Sequence, residues 1–351
     1  MTASNFYQLH LDRVSRSFAF CIARLEEPLK EWVGLSYLLC RVLDTVEDAP
    51  WESATEQLSA FEEFDRWLEQ VPTREQVDTW VQLFPKSIPE GELLLLHETH
   101  RLLEDLHHQP DRARAVILRL AQEMSLGMQR FQSQEPKNRL RSLTEVNQYC
   151  FFVAGLVGEA LTHLLELVCE DFKASAESIA DAHHFGLFLQ KVNLLKDQSD
   201  DERQGRFLVP DRGLVLQSVS ENAKGAFRFL MQLPKNQRGF RLFCAWSFFL
   251  GLATLPIAQK AFLRGKQGKL PRTQTLELIS EVEDLQEVSA EKLEPLFLSL
   301  SQKAGLQVSE WALLKRGLEA ENRFQTPQWL TDIYRGSLKK SGLYRLGVLE
   351  Q

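Results

Sequence analysis

Apolar residues recur at helical spacing along most of the 351-residue chain, and few runs alternate as a half-buried strand requires. Proline and glycine mark short connections and no solenoid period is apparent, so the pattern predicts a single all-α domain over residues 1–351. Two of the predicted helices break the rule that polar residues turn to water. In Phe185 to Asp201, FGLFLQKVNLLKDQSDD, the apolar Leu187, Phe188, Leu194 and Leu195 flank Gln190, Asn193, Asp197 and Asp201, which fall at i, i+3, i+7 and i+11. In Glu31 to Asp48, EWVGLSYLLCRVLDTVED, the residues Tyr37, Arg41, Asp44 and Asp48 fall at i, i+4, i+7 and i+11. Each set is a narrow polar stripe on a helix so apolar that the stripe is expected to face an interior cavity.

Both stripes finish in an Asp-x-x-x-Asp pair near a helix C-terminus. There the macrodipole is negative, so the charges are doubly unfavourable without a cation. Two carboxylates one turn apart suit Mg²⁺, a hard ion that keeps waters and takes one or two protein oxygens plus phosphate. A single pair reads equally well as a solvated acidic helix end. Two pairs, each continued upstream by a polar stripe, point to a site for ions and a diphosphate.

Composition narrows the classes. Hydrophobic residues make up 44% of the chain, enough for a large core, and the net charge of −7 argues against a general nucleic-acid binder. Cys21, Cys40, Cys150, Cys169 and Cys244 stand singly in apolar contexts, as small core residues do in a reducing compartment. His10, Asp12 and Arg13 interrupt any secretory leader. The strongest candidate span, Leu242 to Ala258, is short and contains Pro256, so a buried helix is the better reading. Glu56, Glu62, Glu63 and Glu69 form a solvated helix face. His97, His100, His107 and His108, on an expected helix over 92–108, read as surface or boundary residues, since no HExxH accompanies them.

Several further residues admit two readings. Ser15 and Ser17 in SRSF either cap a helix or, with Arg16, bind diphosphate oxygens. Tyr149, at the start of an apolar segment, serves packing or proton transfer. Gly155 and Gly158 in that segment would let a neighbouring helix approach closely. Gly205 permits a turn after which Arg206 could reach phosphate. Phe243, Trp246, Phe248 and Phe249 are core, or line an apolar pocket that stabilises a carbocation. The basic run Arg264 to Arg272 is by itself a solvated loop, and the tail from Trp329 suits either an anionic membrane surface or packing on the domain.

LDTVED (residues 43–48) and GLFLQKVNLLKD (residues 186–197) resemble the two signature segments of the squalene/phytoene synthase family. QKVN before the second pair is closer to the squalene synthases than to the phytoene synthases. The resemblance extends from about Ser15 to Arg272 and takes in SRSF, the Tyr149 segment and FCA at 243–245. It implies an isoprenoid-synthase-type helical bundle around a central cavity. It also implies head-to-head condensation of two farnesyl diphosphates to presqualene diphosphate, then NADPH-dependent reduction to squalene. Asp44, Asp48, Asp197 and Asp201 would bind Mg²⁺, or Mn²⁺ in its place, with Glu47, Asn193 and Asp200 as extra ligands. Arg16, Arg41 and Arg206 would hold diphosphate, and Ser15, Ser17, Phe18, Tyr37 and Phe243 would contact substrate. Tyr149 would shuttle the proton near Gln190 and Asn193, while Lys269 and Arg272, with Arg16 and Arg41, would meet NADPH.

The chain departs from that pattern at Lys196, where many relatives have arginine, at the lone Gly205, where eukaryotic relatives have two glycines, and at Ser247, where proline is expected. Eukaryotic squalene synthases carry a C-terminal membrane anchor, whereas this chain ends in GLYRLGVLEQ. A cytoplasmic protein, at most peripheral to the inner face of a membrane, is therefore expected. Two alternatives compete: a non-reducing relative making dehydrosqualene, phytoene or presqualene diphosphate, and a non-catalytic helical assembly protein. QKVN with Lys269 and Arg272 argues against the first, and the intact acid pairs with Tyr149 against the second. A di-iron bundle lacks its paired Glu-x-x-His ligands.

Overall fold

The computed structural model describes residues 3–133, 138–288 and 292–308. The tail from Trp329, and residues 309–324 of the expected C-terminal helices, lie outside that range. Among the described residues the chain is all-α, with no strand beyond one bridge between Arg139 and Phe207. Contacts divide it into two compact units.

The first unit holds α1 (Ala3–Val14), α2 (Arg16–Ile22), α3 (Leu29–Asp48), α4 (Ala54–Glu69), α5 (Arg74–Val81), α6 (Glu90–His97), α7 (Thr99–His108) and α8 (Asp111–Gln132). Helix α3 is its axis, packed by α1, α7 and α8. Leu35, Leu38, Leu39, Val42, Leu43 and Val46 form the buried face that this packing covers. Local chemistry starts its neighbours. The Ser53 hydroxyl accepts from the Thr55 N–H at 3.1 Å, and Thr73 with Gln76 makes a reciprocal capping box at α5. The helix expected over 92–108 is two helices, because the backbone leaves helical geometry at Glu98 (φ −93°, ψ 5°).

The second unit holds α9 (Leu143–Cys150), a π-helical turn (Phe151–Gly155), most of α10 (Leu156–Val168), α11 (Ala176–Arg203), α12 (Arg212–Gln232), most of α13 (Arg238–Phe262), α14 (Arg272–Val288) and α15 (Leu293–Lys303). The ends of α10 and α13 at 163–172 and 234–243 cluster with the first unit. Helix α11 starts at a Ser175/Ser178 capping box and packs on α9, the π turn and α12. Its approach to the Tyr149 segment is backbone on backbone. A Cβ on Gly158 would lie 2.1 Å from the Ala182 carbonyl oxygen, and one on Gly186 would lie 2.1 Å from that of Ala154. Only glycine fits at either place.

Leu143–Val168 and Arg238–Phe262 are long and apolar enough to cross a membrane, but 61% and 67% of their most apolar windows are buried within the protein. Trp246, Phe248 and Phe249 have no exposed surface, and the Phe248 ring packs 4.9 Å from that of Phe188 and 5.7 Å from that of Phe297. These three rings are core.

Candidate active site

In the first unit the expected residues gather around the C-terminal half of α3. Ser15 precedes α2, but its hydroxyl makes no cap hydrogen bond. The Phe18 ring lies 5.3 Å from that of Tyr37. Burial pushes the Tyr37 phenol up to about 12, against the pull of Ser15 and Arg41. Ser17 is exposed, and the Arg16 side chain lies outside what is described.

One turn on, Arg41 lies 3.5 Å from an Asp44 carboxylate oxygen and is ion-paired to Glu92 of α6. Burial works against the Arg41 charge, but Asp44 and Glu92 outweigh it. Asp44 keeps 35% of its side-chain surface yet is crowded by protein. That loss of hydration lifts its carboxyl to about 7; Arg41 opposes the rise and Asp48 and Glu92 add to it. Asp44 and Glu92 thus share one guanidinium while Asp48 adds its charge one turn on, an imbalance a divalent cation would relieve. Asp48 is exposed and Glu47 half-buried, with Gln132 donating to Glu47 at 3.5 Å. The stripe therefore reaches solvent at its last acid and is not wholly interior.

In the second unit the acids sit on the last two turns of α11. Lys196 Nζ lies 3.2 Å from Asp197 and 3.3 Å from the Asn193 side-chain oxygen. The Gln267 amide donates to Asp197, Arg203 pairs with Asp200, and Arg206 Nη2 lies 2.6 Å from Asp201. Chain geometry places Arg206. Gly205, at φ +80°, closes the helix: its N–H bonds the Glu202 carbonyl at 3.1 Å, and the Arg206 N–H bonds that of Asp201 at 2.8 Å. Asn193 is exposed, Gln190 and Asp197 half-buried, and Asp201 buried. Here too the stripe is not wholly interior, opening to solvent at Asn193.

Tyr149 is buried in α9, which packs on α11. Behind the acid face runs a polar core that sequence reasoning missed. Lys191 is 1% exposed, and its ammonium donates to Ser218 Oγ at 3.0 Å and Asn222 Oδ1 at 2.6 Å. The Asn222 amide in turn donates to His184 Nδ1 at 2.9 Å. Glu92 and Gln267 were also missed; neither stands in a local pattern that would announce it. Phe243 is buried with its ring 6.2 Å from Phe240. Lys269 and Arg272 are exposed, on a loop and on the first turn of α14, so both are open to a phosphate.

Divalent ions fit this donor set. It is made of hard carboxylate oxygens, and among the described residues no three His, Cys, Asp or Glu groups converge on one point. A site that supplies few protein oxygens and leaves the rest to water and phosphate is what Mg²⁺ accepts. Three of the four histidines of α6 and α7 have structural partners: His97 lies 2.8 Å from Asp78, His100 bonds the His97 carbonyl, and His107 that of Leu68.

A model of the squalene/phytoene synthase family matches residues 11–228. The squalene synthase of Eremothecium gossypii is 34% identical over 207 residues, 58% of this chain and 45% of that protein. That of Schizosaccharomyces pombe is 34% identical over 208 residues, 58% and 43%, and that of Bos taurus 30% over 201 residues, 57% and 45%. The matched part thus spans less than half the length of these curated relatives. A ligand complex of TcSQS superposes with a TM-score of 0.69 at 20% identity, covering 96% of this chain and 99% of that one. A dehydrosqualene synthase complex gives 0.57 at 16%, with 82% and 97% covered. At these identities the likeness shows the fold. The chain belongs to the squalene/phytoene synthase family.

Proposed function

We propose that this member of the squalene/phytoene synthase family joins two farnesyl diphosphates head to head. One diphosphate is released to give presqualene diphosphate; a second ionisation, rearrangement and hydride transfer from NADPH then give squalene. The observation that carries this reading is that each aspartate pair has a guanidinium beside one of its acids, Arg41 at Asp44 and Arg206 at Asp201. Carboxylates for the cation and a fork of donors for phosphate are the two halves of a metal–diphosphate site. The curated relatives named above, all squalene synthases, support the same reaction.

Bound at Asp44, Asp48, Asp197 and Asp201, Mg²⁺ or Mn²⁺ would draw charge from the diphosphate and make it a leaving group. Arg16, Arg41 and Arg206 hold the diphosphate oxygens as they gain charge. Ser15, Phe18 and Tyr37 orient the substrate head, and Phe243 meets its hydrocarbon part. Water must be kept from the allylic cation, which it would quench. Tyr149 takes and returns a proton at its phenolic oxygen, the role in which Gln190 and Asn193 of α11 would assist it. Lys269 and Arg272 bind the phosphates of NADPH.

Incubation with farnesyl diphosphate and Mg²⁺, with and without NADPH, followed by hydrocarbon analysis, tests the proposal. Squalene is expected only with NADPH. The same unreduced hydrocarbon under both conditions would replace it with the non-reducing reaction, and no diphosphate release at all would end the enzymatic reading.

A further inference from the structure

We infer that Gln267 is a positioning residue for Asp197, and that through it the basic loop Leu263–Pro271 responds to divalent-ion binding. The inference rests on the proposed ion-binding role of Asp197. The Gln267 Nε2 donates to Asp197 Oδ1, while Lys196 Nζ lies 3.2 Å from Oδ2. Each carboxylate oxygen has two lone pairs, so both contacts leave acceptor positions for an ion. A ligating carboxylate whose rotamer is fixed by outer hydrogen bonds binds its ion more tightly than one free to turn.

Gln267 is itself held from both sides. Gly265, at φ +61°, ends α13 as Gly205 ends α11: its N–H bonds the Phe262 carbonyl at 2.9 Å, and the Lys266 N–H bonds that of Ala261 at 3.0 Å. Gly268 lies against α13, where a Cβ would come 2.8 Å from the backbone of Ala258. Between these anchors only a short arc of chain carries Gln267 towards α11. At the start of the loop an open cleft of about 410 Å³ separates Phe262 and Gly265 from Ser199, Glu202 and Arg203. The Gln267 side chain therefore reaches Asp197 from an arc anchored at its ends rather than from a packed surface. The same loop leads through Lys269 to Arg272, the residues proposed for NADPH. An ion that locks the Asp197 carboxylate also fixes the loop on which those cations stand.

Mn²⁺ serves as the probe, with free Mn²⁺ followed by its paramagnetic resonance in titrations of the full chain. Trypsin cleavage after Arg264, Lys266 and Lys269 is timed in parallel, with and without the ion. Gln267→Met should bind Mn²⁺ about 10- to 100-fold more weakly. It should also be cut faster in the loop and lose the protection that Mn²⁺ gives the unaltered protein. Leu263→Ser, a change at an exposed position of the same loop, should match the unaltered protein in both measurements. Either an unchanged affinity or an unchanged ion dependence of cleavage in Gln267→Met overturns the inference. Asp197→Asn separates the two failures: if it too leaves Mn²⁺ binding untouched, the ion-binding role of the acid pair is what has failed.

Discussion

Arg206 and Asp201 are joined twice. The Arg206 N–H donates to the Asp201 carbonyl at 2.8 Å, and the guanidinium of the same residue lies 2.6 Å from the Asp201 carboxylate. Gly205 makes both possible by taking φ +80°, which an L side chain rarely adopts. A helix ending thus delivers a phosphate-type donor to the acid beside which it is proposed to work.

Gly205→Ala should cost about 1–2 kcal/mol of stability from the left-handed backbone alone. It should also lower turnover by moving Arg206. Arg206→Ala keeps the backbone and should lower turnover without that loss. Chemical denaturation alongside steady-state rates checks both, and an Arg206→Ala enzyme with full activity would remove this residue from the site.

Asp48→Asn and Asp197→Asn should each reduce turnover by about 100-fold or more, since each removes one charge from a carboxylate pair that an ion needs. Asp48 is exposed and Asp197 half-buried, so helical content by circular dichroism should be unchanged. Normal activity in either variant contradicts the ion assignment.

Tyr149→Phe keeps the ring and deletes the hydroxyl. Substrate affinity should persist while product formation falls, so the two are measured separately. A parallel loss of both would make Tyr149 a packing residue.

Gly186→Ala should destabilise the protein by about 1–3 kcal/mol. The new methyl would meet the Ala154 carbonyl, a backbone atom that has no rotamer to retreat into. An unaltered melting temperature would show that α11 and the Tyr149 segment can part without cost.

His184 gives stability a dependence on acid. Burial, then the nearby positive charge of Arg228 and Lys191, lower its imidazole to about 3. The unfolded chain therefore binds this proton from about pH 6.5 downward, while the folded chain does not. The contribution is complete above pH 6.5 and is lost progressively towards pH 3. His184→Asn retains an acceptor for Asn222 and should escape this loss. Relative to it, the unaltered protein should lose on the order of 3 kcal/mol by pH 4. Parallel denaturation curves at pH 7 and pH 4 would refute the assignment.

What was legible in the sequence is what repeats over a few residues. The 3.6-residue period marked α3 and α11 and put each aspartate pair on one face, because helix geometry is set by local backbone bonds. Gly205 signals a helix end for the same reason. The all-α class and the family follow from such local patterns. Even so, the single helix expected over 92–108 divides at Glu98, where no proline or glycine gives warning.

The tertiary structure decided everything that depends on residues far apart in the chain. Arg41 meets Glu92 across 51 positions and Gln267 meets Asp197 across 70. Neither Glu92 nor Gln267 lies in a run that distinguishes it from a solvated side chain. Packing also bore on the paired readings: Ser15 makes no cap hydrogen bond, and Phe248 went into the core. Residue type and spacing fix what a segment is able to do, but burial and the choice of partner arise only when separate helices share the same space.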